Sequence, residues 1–185
     1  AANGEAGNTG GLNASAGDGF GGEARILVGT AATLELGELQ IAAIGTGGTG
    51  PQAEGGEGTG GIAELLIDGA ETDVTLARGN AFVFPRPPGF GLSSFDGSGI
   101  LVSSGFGGAT TGGDGFGGDA VGGTINLTVD NGATLTFPNP PAFGNNRVGF
   151  LTRGRAGNST VDGGTNGSGI GGTINILVDN EAVFN

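Results

Sequence analysis

The sequence predicts an all-β fold, a parallel β-helix or β-solenoid with glycine-rich corners, and three observations predict it. A glycine-rich hexamer recurs four times: GDGFGG at 17–22, GEGTGG at 56–61, GDGFGG at 113–118 and GSGIGG at 167–172. Each copy leads into two short runs in which apolar and polar residues alternate. No window carries apolar residues at three-four spacing, and interior glycine costs a helix about 1 kcal/mol per residue. Repetition at tens of residues marks units that bury their apolar faces only against one another. The whole chain, 1–185, therefore reads as one continuous repeat domain, with phrases at about 17–44, 56–84, 113–137 and 167–185.

In the first run of each phrase Ala24, Ile26 and Val28 alternate with Arg25 and Leu27. The equivalents are Ala63, Leu65 and Ile67, then Ile125, Leu127 and Val129, then Ile174, Ile176 and Val178. Period-two patterning with β-branched residues is a strand with one buried face. The second run repeats it with Ala32, Leu34 and Leu36, Val74 and Leu76, Ala133, Leu135 and Phe137, and Ala182 and Phe184. Between the runs stand Asp, Asn and Gly, which accept turn conformations cheaply, so each junction is a corner. Residues 23–36 match 124–137 position for position, so stacking like on like in parallel keeps every inward column apolar. Ile26, Leu65, Leu127 and Ile176 form one such column in this reading.

The hexamers start at unevenly spaced positions. A turn of three strands of about five residues plus corners takes roughly 20 residues, so each phrase is expected to span about two to three turns. Some eight turns at about 4.8 Å would make a rod about 40 Å long. Further strands are expected at 39–44, 81–84, 100–103 and 148–151. Pro85–Pro88 and Pro138–Pro141 are expected to be loop excursions, because proline cannot donate to a ladder.

Composition restricts function. Glycine makes up 46 of 185 residues without a collagen period, yet 36% of the chain is apolar and clustered, which favours ordered repeats over disorder. There is no Cys, His, Met, Trp or Tyr, and every basic residue is Arg. The missing Met suggests a mature product or an excerpt. A net charge of −12 disfavours nucleic acid and anionic membranes as partners, and no apolar run approaches a membrane span.

Segments 122–135 and 171–180, GGTINLTVDNGATL and GGTINILVDN, resemble the repeats of filamentous-haemagglutinin-like and autotransporter-like bacterial surface adhesins. The resemblance implies a right-handed parallel β-helix, export through an outer-membrane pore, an extracellular place on the bacterial cell surface, and a role in adhesion or matrix. It covers four segments, about half of the chain.

Several motifs invite chemistry. All four hexamers satisfy G-x-G-x-x-G, but each precedes a strand, whereas the dinucleotide fingerprint needs a following helix. Residues 112–117 are similar to calcium-binding nonapeptides, although Gly117 stands where Asp belongs. The calcium candidates are Asp18, Glu23, Asp114 and Asp119, with Glu54 and Glu57 nearby; solvated acidic loops are the plainer account. Asp68, Asp130 and Asp179 align at the corners, where turn formation explains them. Glu35 with Glu64 or Glu71 would be candidates for the paired carboxylates of a glycan hydrolase, but nothing beyond acidity singles them out. Without His, Cys or Lys, nucleophilic catalysis lacks its base and its usual nucleophile partners. Sequons occur at Asn13, Asn126, Asn158 and Asn166, and Phe20 and Phe116 are expected to anchor loops on the coil.

The expected function is accordingly non-enzymatic: an extracellular structural or adhesive surface protein, without cofactor. A calcium-stabilised binding module and a carbohydrate-active β-helix enzyme are the alternatives. An ice-binding solenoid is disfavoured because Thr124, Thr128, Thr134 and Thr136 have few counterparts in the other repeats. Expected partners are the chain itself, stacked end to end, or adjoining repeats, with surface or matrix ligands beyond them and no membrane insertion.

Overall fold

The structure, a computed structural model, describes residues 1–8, 15–37, 39–51, 54–76, 81–82, 95–96, 99–112, 115–137 and 148–185. Among them there is no helix. The first strand, β1 (Gly4–Glu5), precedes four turns of chain. Turn one holds β2 (Gly19–Phe20), β3 (Glu23–Gly29), β4 (Thr33–Leu36), β5 (Leu39–Ala42) and β6 (Gly45–Thr46). Turn two holds β7 (Gly58–Thr59), β8 (Ile62–Asp68), β9 (Asp73–Leu76), β10 (Ala81–Phe82), β11 (Phe95–Asp96), β12 (Gly99–Val102) and β13 (Gly105–Phe106). Turn three holds β14 (Ala120–Val121), β15 (Thr124–Asp130), β16 (Thr134–Thr136), β17 (Val148–Leu151) and β18 (Gly154–Arg155). Turn four holds β19 (Gly169–Ile170), β20 (Thr173–Val178) and β21 (Val183–Phe184).

Equivalent strands of successive turns pair in parallel and in register, which makes the fold a parallel β-solenoid. The expected column is continuous: Ile26 pairs with Leu65, Leu65 with Leu127 and Leu127 with Ile176, with no rung between them. Each phrase is therefore one turn, not two or three. The stack has four rungs instead of eight, and about 14 Å separates the first from the fourth at ordinary strand spacing. The shorter-turn expectation failed because each turn also contains two small glycine strands and because long connections are inserted in two turns. β4 is followed almost at once by β5, whereas residues 77–98 separate β9 from β12 and residues 137–147 separate β16 from β17.

The strands expected at 39–44, 100–103 and 148–151 are found as β5, β12 and β17. The one expected at 81–84 is not a rung: β10 pairs antiparallel with β11. Both proline segments lie outside the described residues.

The core sits between the sheets of β3, β4 and β5 and their equivalents. Leu65, Ile67, Val74, Leu76, Leu101, Ile125, Leu127, Val129 and Leu135 are all but completely buried there. Thr72 occupies the Ala32, Ala133 and Ala182 column and is fully buried, its hydroxyl donating to the Asp68 carbonyl at 3.0 Å. Burial of that hydroxyl is tolerable because it is bonded. β12 buries Ile100, Leu101 and Val102 on both faces, and β5 buries all but its exposed Gln40, with Ala42, Ile44, Ile100, Val102 and Phe106 forming a second cluster. That explains why their sequences do not alternate.

The remaining part of each turn is a thin arm made of two glycine sheets, β1-β6-β13-β18 and β2-β7-β14-β19. Their backbones lie directly against one another. A methyl group added to Gly19 would strike the Thr46 carbonyl, and one added to Gly58 would strike that of Phe106. Across this contact runs a single file of backbone bonds. Gly48 N–H donates to Gly17, Gly56 to Gly48, Gly108 to Gly56, Gly118 to Gly108 and Gly157 to Gly118, each at 2.9 Å. Gly17 to Gly7 at 3.3 Å and Gly167 to Gly157 at 3.1 Å extend it at either end.

The pairing also corrects the third hexamer. β14 pairs with β7 and β19, so the equivalent of 17–22, 56–61 and 167–172 is GDAVGG at 118–123, not GDGFGG at 113–118. Segment 118–123 abuts β15 as the other copies abut their strands. Its Ala120 and Val121 break the glycine pattern, which made the neighbouring 113–118 the more conspicuous match.

Candidate functional site

The outward faces carry the functional candidates. On the sheet of β3 one outward column reads Arg25, Glu64, Asn126 and Asn175. Arg25 Nε meets Glu64 Oε2 at 3.0 Å, Arg25 Nη2 meets Glu23 Oε2 at 3.3 Å, and Asn175 Nδ2 donates to Asn126 Oδ1 at 2.9 Å. The next column is Leu27, Leu66, Thr128 and Leu177, of which Leu27 and Leu177 are well exposed.

At the corner beyond this sheet Asp68 and Asp130 are stacked neighbours, and Asp179 closes the fourth turn's strand. Asp130 Oδ1 accepts the Asn131 N–H at 2.7 Å, and Asp179 Oδ1 accepts the Asn180 N–H at 2.8 Å. These carboxylates shape the turn. Asn131 and Asn180 have φ of 53° and 48°, in the left-handed region where Asn is least strained.

Of the calcium candidates, Asp18 and Asp119 occupy equivalent places, one residue before β2 and β14. Asp18 Oδ1 accepts the Glu57 N–H at 2.8 Å and Asp119 Oδ1 accepts the Ser168 N–H at 2.7 Å, so each ties its turn to the next. Asp18, Glu54, Glu57, Phe116, Asp119 and Asn166 line a depression of about 360 Å³. Glu23 is not part of it; it starts β3 and pairs with Arg25. Asp114 lies outside the described residues. Among the described residues no three His, Cys, Asp or Glu side chains converge as metal ligands would.

The carboxylates weighed for hydrolysis sit on separate elements. Glu35 is exposed on β4, Glu64 of β8 is held by Arg25 of β3, and Glu71 stands at a corner with φ of 63°. Among the sequons, Asn126 does face outward, and Asn166 accepts the Ser159 N–H at 2.8 Å; Asn13 lies outside the described residues. Phe20 and Phe116 are not packed anchors: they are 64% and 51% exposed. Nor are they equivalent, since Phe20 shares its column with Thr59, Val121 and Ile170, whereas Phe116 bridges to Thr165.

Two features escaped the sequence reading. One is a second hexamer family forming the facing glycine sheet: ANGEAG at 2–7, AIGTGG at 43–48, SSGFGG at 103–108 and TRGRAG at 152–157. Its signal is a small residue or glycine at positions three, five or six in every copy, diluted by bulky residues between. The other is Arg153, whose guanidinium lies 6.0 Å from the Phe106 ring centroid and whose Nε is buried without a hydrogen bond. Burial first, and the Arg155 charge second, hold its pKa below the ordinary arginine value.

Ile174, Ile176, Val178 and Phe184 continue the buried columns of Ile125, Leu127, Val129 and Leu135, yet are 45%, 53%, 42% and 42% exposed.

Against this geometry, comparison with protein-family models, curated proteins and solved structures finds no match.

Proposed function

We propose that this chain is a non-enzymatic extracellular scaffold, a structural or adhesive surface protein of a bacterial cell envelope. The observation that carries the reading is the in-register outer face. Four turns hold their outward side chains in straight columns one strand spacing apart, and bonds such as Asn175–Asn126 fix them. Such a surface presents a rigid repeated pattern to a polymer or matrix, and its outward residues can vary without disturbing the core. The acidic surface suits a soluble displayed protein and repels other polyanions. In this reading the partner of the solenoid is another solenoid turn, from adjoining repeats or a second copy.

The test is retention of the purified chain on immobilised matrix proteins and glycans, alongside a glycan panel assayed for release of products. Saturable retention lost when Leu27 and Leu177 are both changed to Asp supports the adhesive reading. Turnover of any glycan would refute the non-enzymatic one.

A further inference from the structure

We propose that Asn131 with Gly132, at the corner after β15, is a latent deamidation site. It is locked while the turns on either side stay stacked, and it converts to an aspartyl or isoaspartyl residue once that corner opens. The chemistry is independent of what the outer face binds.

Three Asn-Gly doublets occur in the chain, at 3–4, 131–132 and 166–167. Asn is a thermolabile residue, and a following Gly makes it most so, because no side chain hinders the glycine nitrogen. That nitrogen attacks the Asn Cγ and gives its proton to water or hydroxide. The Cγ–Nδ2 bond breaks and ammonia leaves. Water then opens the succinimide at either carbonyl, giving Asp, or isoAsp with the main chain routed through Cβ.

All three doublets are tied at both reacting groups. Asn3 Oδ1 accepts the Ile44 N–H at 3.2 Å, and the Gly4 N–H donates to the Ile44 carbonyl at 2.8 Å. Asn166 Oδ1 accepts the Ser159 N–H at 2.8 Å, and the Gly167 N–H donates to the Gly157 carbonyl at 3.1 Å. Gly4 and Gly167 are also packed in the glycine arm, where a Cβ would collide with the Phe20 or the Gly118 carbonyl. The backbone rotation that cyclisation requires has no room there. Asn131 differs. Its Nδ2 donates down one turn to Asp68 Oδ1 at 2.8 Å, whereas the Gly132 N–H donates up one turn to the Asn180 carbonyl at 2.8 Å. Electrophile and nucleophile are held by opposite neighbours. Asn131 is exposed to water, and a Cβ at Gly132 would meet nothing nearer than Ala70, at 3.7 Å. The lock consists of those two hydrogen bonds.

Release runs one way. In either product an acid replaces the amide, so the bond to Asp68 is lost. A further carboxylate then stands beside Asp68 and Asp130, where like charges at strand spacing repel. IsoAsp also lengthens the path between β15 and β16. A corner that has reacted does not restack.

Incubating the 185-residue chain at mildly alkaline pH, folded or in denaturing urea, tests the proposal. Peptide mapping and labelling by an isoaspartyl methyltransferase follow each doublet. Asn131 should react about tenfold or more slowly in the folded chain than in urea. Asp68→Ala should speed folded-state conversion at Asn131 about fivefold, as loss of one hydrogen bond allows, and leave Asn3 and Asn166 unchanged. The comparison of folded with unfolded parent requires no variant and stands if Asp68→Ala disturbs the fold. Asn131→Asp, which carries the first product, should melt below the parent. Equal rates at Asn131 in the folded and unfolded parent overturn the proposal, as does a folded Asp68→Ala chain that reacts no faster. An Asn131→Asp chain as stable as the parent overturns the one-way step.

Discussion

Asn131 reaches down one rung and donates its Nδ2 to Asp68 Oδ1 at 2.8 Å, and Asn180 does the same to Asp130 at 2.8 Å. A bare column of carboxylates at strand spacing would be repulsive. Here Asp68 and Asp130 each receive a side-chain amide from the turn above, and Asp130 and Asp179 also cap the N–H that follows them. The Asn residues thus serve twice, adopting left-handed backbone at the corner and bridging successive acids.

The two roles separate by substitution. Asn131→Gly keeps the backbone freedom and loses the bridge, and should cost about 1 kcal/mol. Asn131→Ala loses both and should cost roughly 1–2 kcal/mol more, the usual penalty for a Cβ in left-handed backbone. Denaturant midpoints of the two variants decide this; equal midpoints would mean the backbone conformation contributes nothing.

The glycine arm predicts a contrast between positions. A Cβ on Gly108 would run into the Gly48 carbonyl, a backbone atom with no rotamer to change, whereas one on Gly37 meets nothing within 4 Å. Gly108→Ala should therefore destabilise by about 3 kcal/mol or more, and Gly37→Ala should be close to neutral. Thermal melting followed by circular dichroism is sufficient to see the difference.

Much of the fold was legible because solenoid stacking is written in alternation. The columns through Ile26, Leu65 and Leu127 follow from period two and aligned corners, and they are where the sequence places them. Turn length was not legible, because it depends on the glycine arm. There the side chains contribute little, and the constraint is the approach of one backbone to another. Segment 113–118 shows the difficulty: it has the better motif, but 118–123 has the place next to β15 that geometry demands. The candidate site was legible only in part. Asp18 and Asp119 stand out for calcium in the sequence as carboxylates clustered beside the glycine hexamers, whereas their equivalence and backbone caps follow from the turn register.

Stability should be graded along the axis. Leu127, 1% exposed with a rung on either side, should cost about 2–5 kcal/mol when changed to Ala. Ile176, in the same column but 53% exposed, should cost the isolated chain under about 1 kcal/mol. Hydrogen exchange should likewise find the amides of β20 and β21 less protected than those of β15 and β16.

The acidic depression yields the final prediction. Asp18 and Asp119 each spend a carboxylate oxygen on a backbone N–H of the following turn, and Glu57 Oε1 accepts the Thr59 hydroxyl at 3.3 Å. A calcium ion needs six to eight oxygens around it, and a carboxylate committed to an N–H supplies fewer. A capping role predicts that Asp119→Ala costs about 1 kcal/mol by leaving the Ser168 N–H unbonded, and that Asp119→Asn costs less because its amide oxygen still accepts. It also predicts the same melting temperature with millimolar calcium as with chelator, in the parent chain and in both variants. A calcium site predicts the opposite order of sensitivity. Melting would rise with calcium, chelator would reverse it, and Asp119→Asn would abolish the shift as fully as Asp119→Ala, since a neutral amide replaces a charged ligand. Scanning calorimetry of the three chains under both conditions distinguishes the two, because only the ion makes stability depend on free calcium concentration.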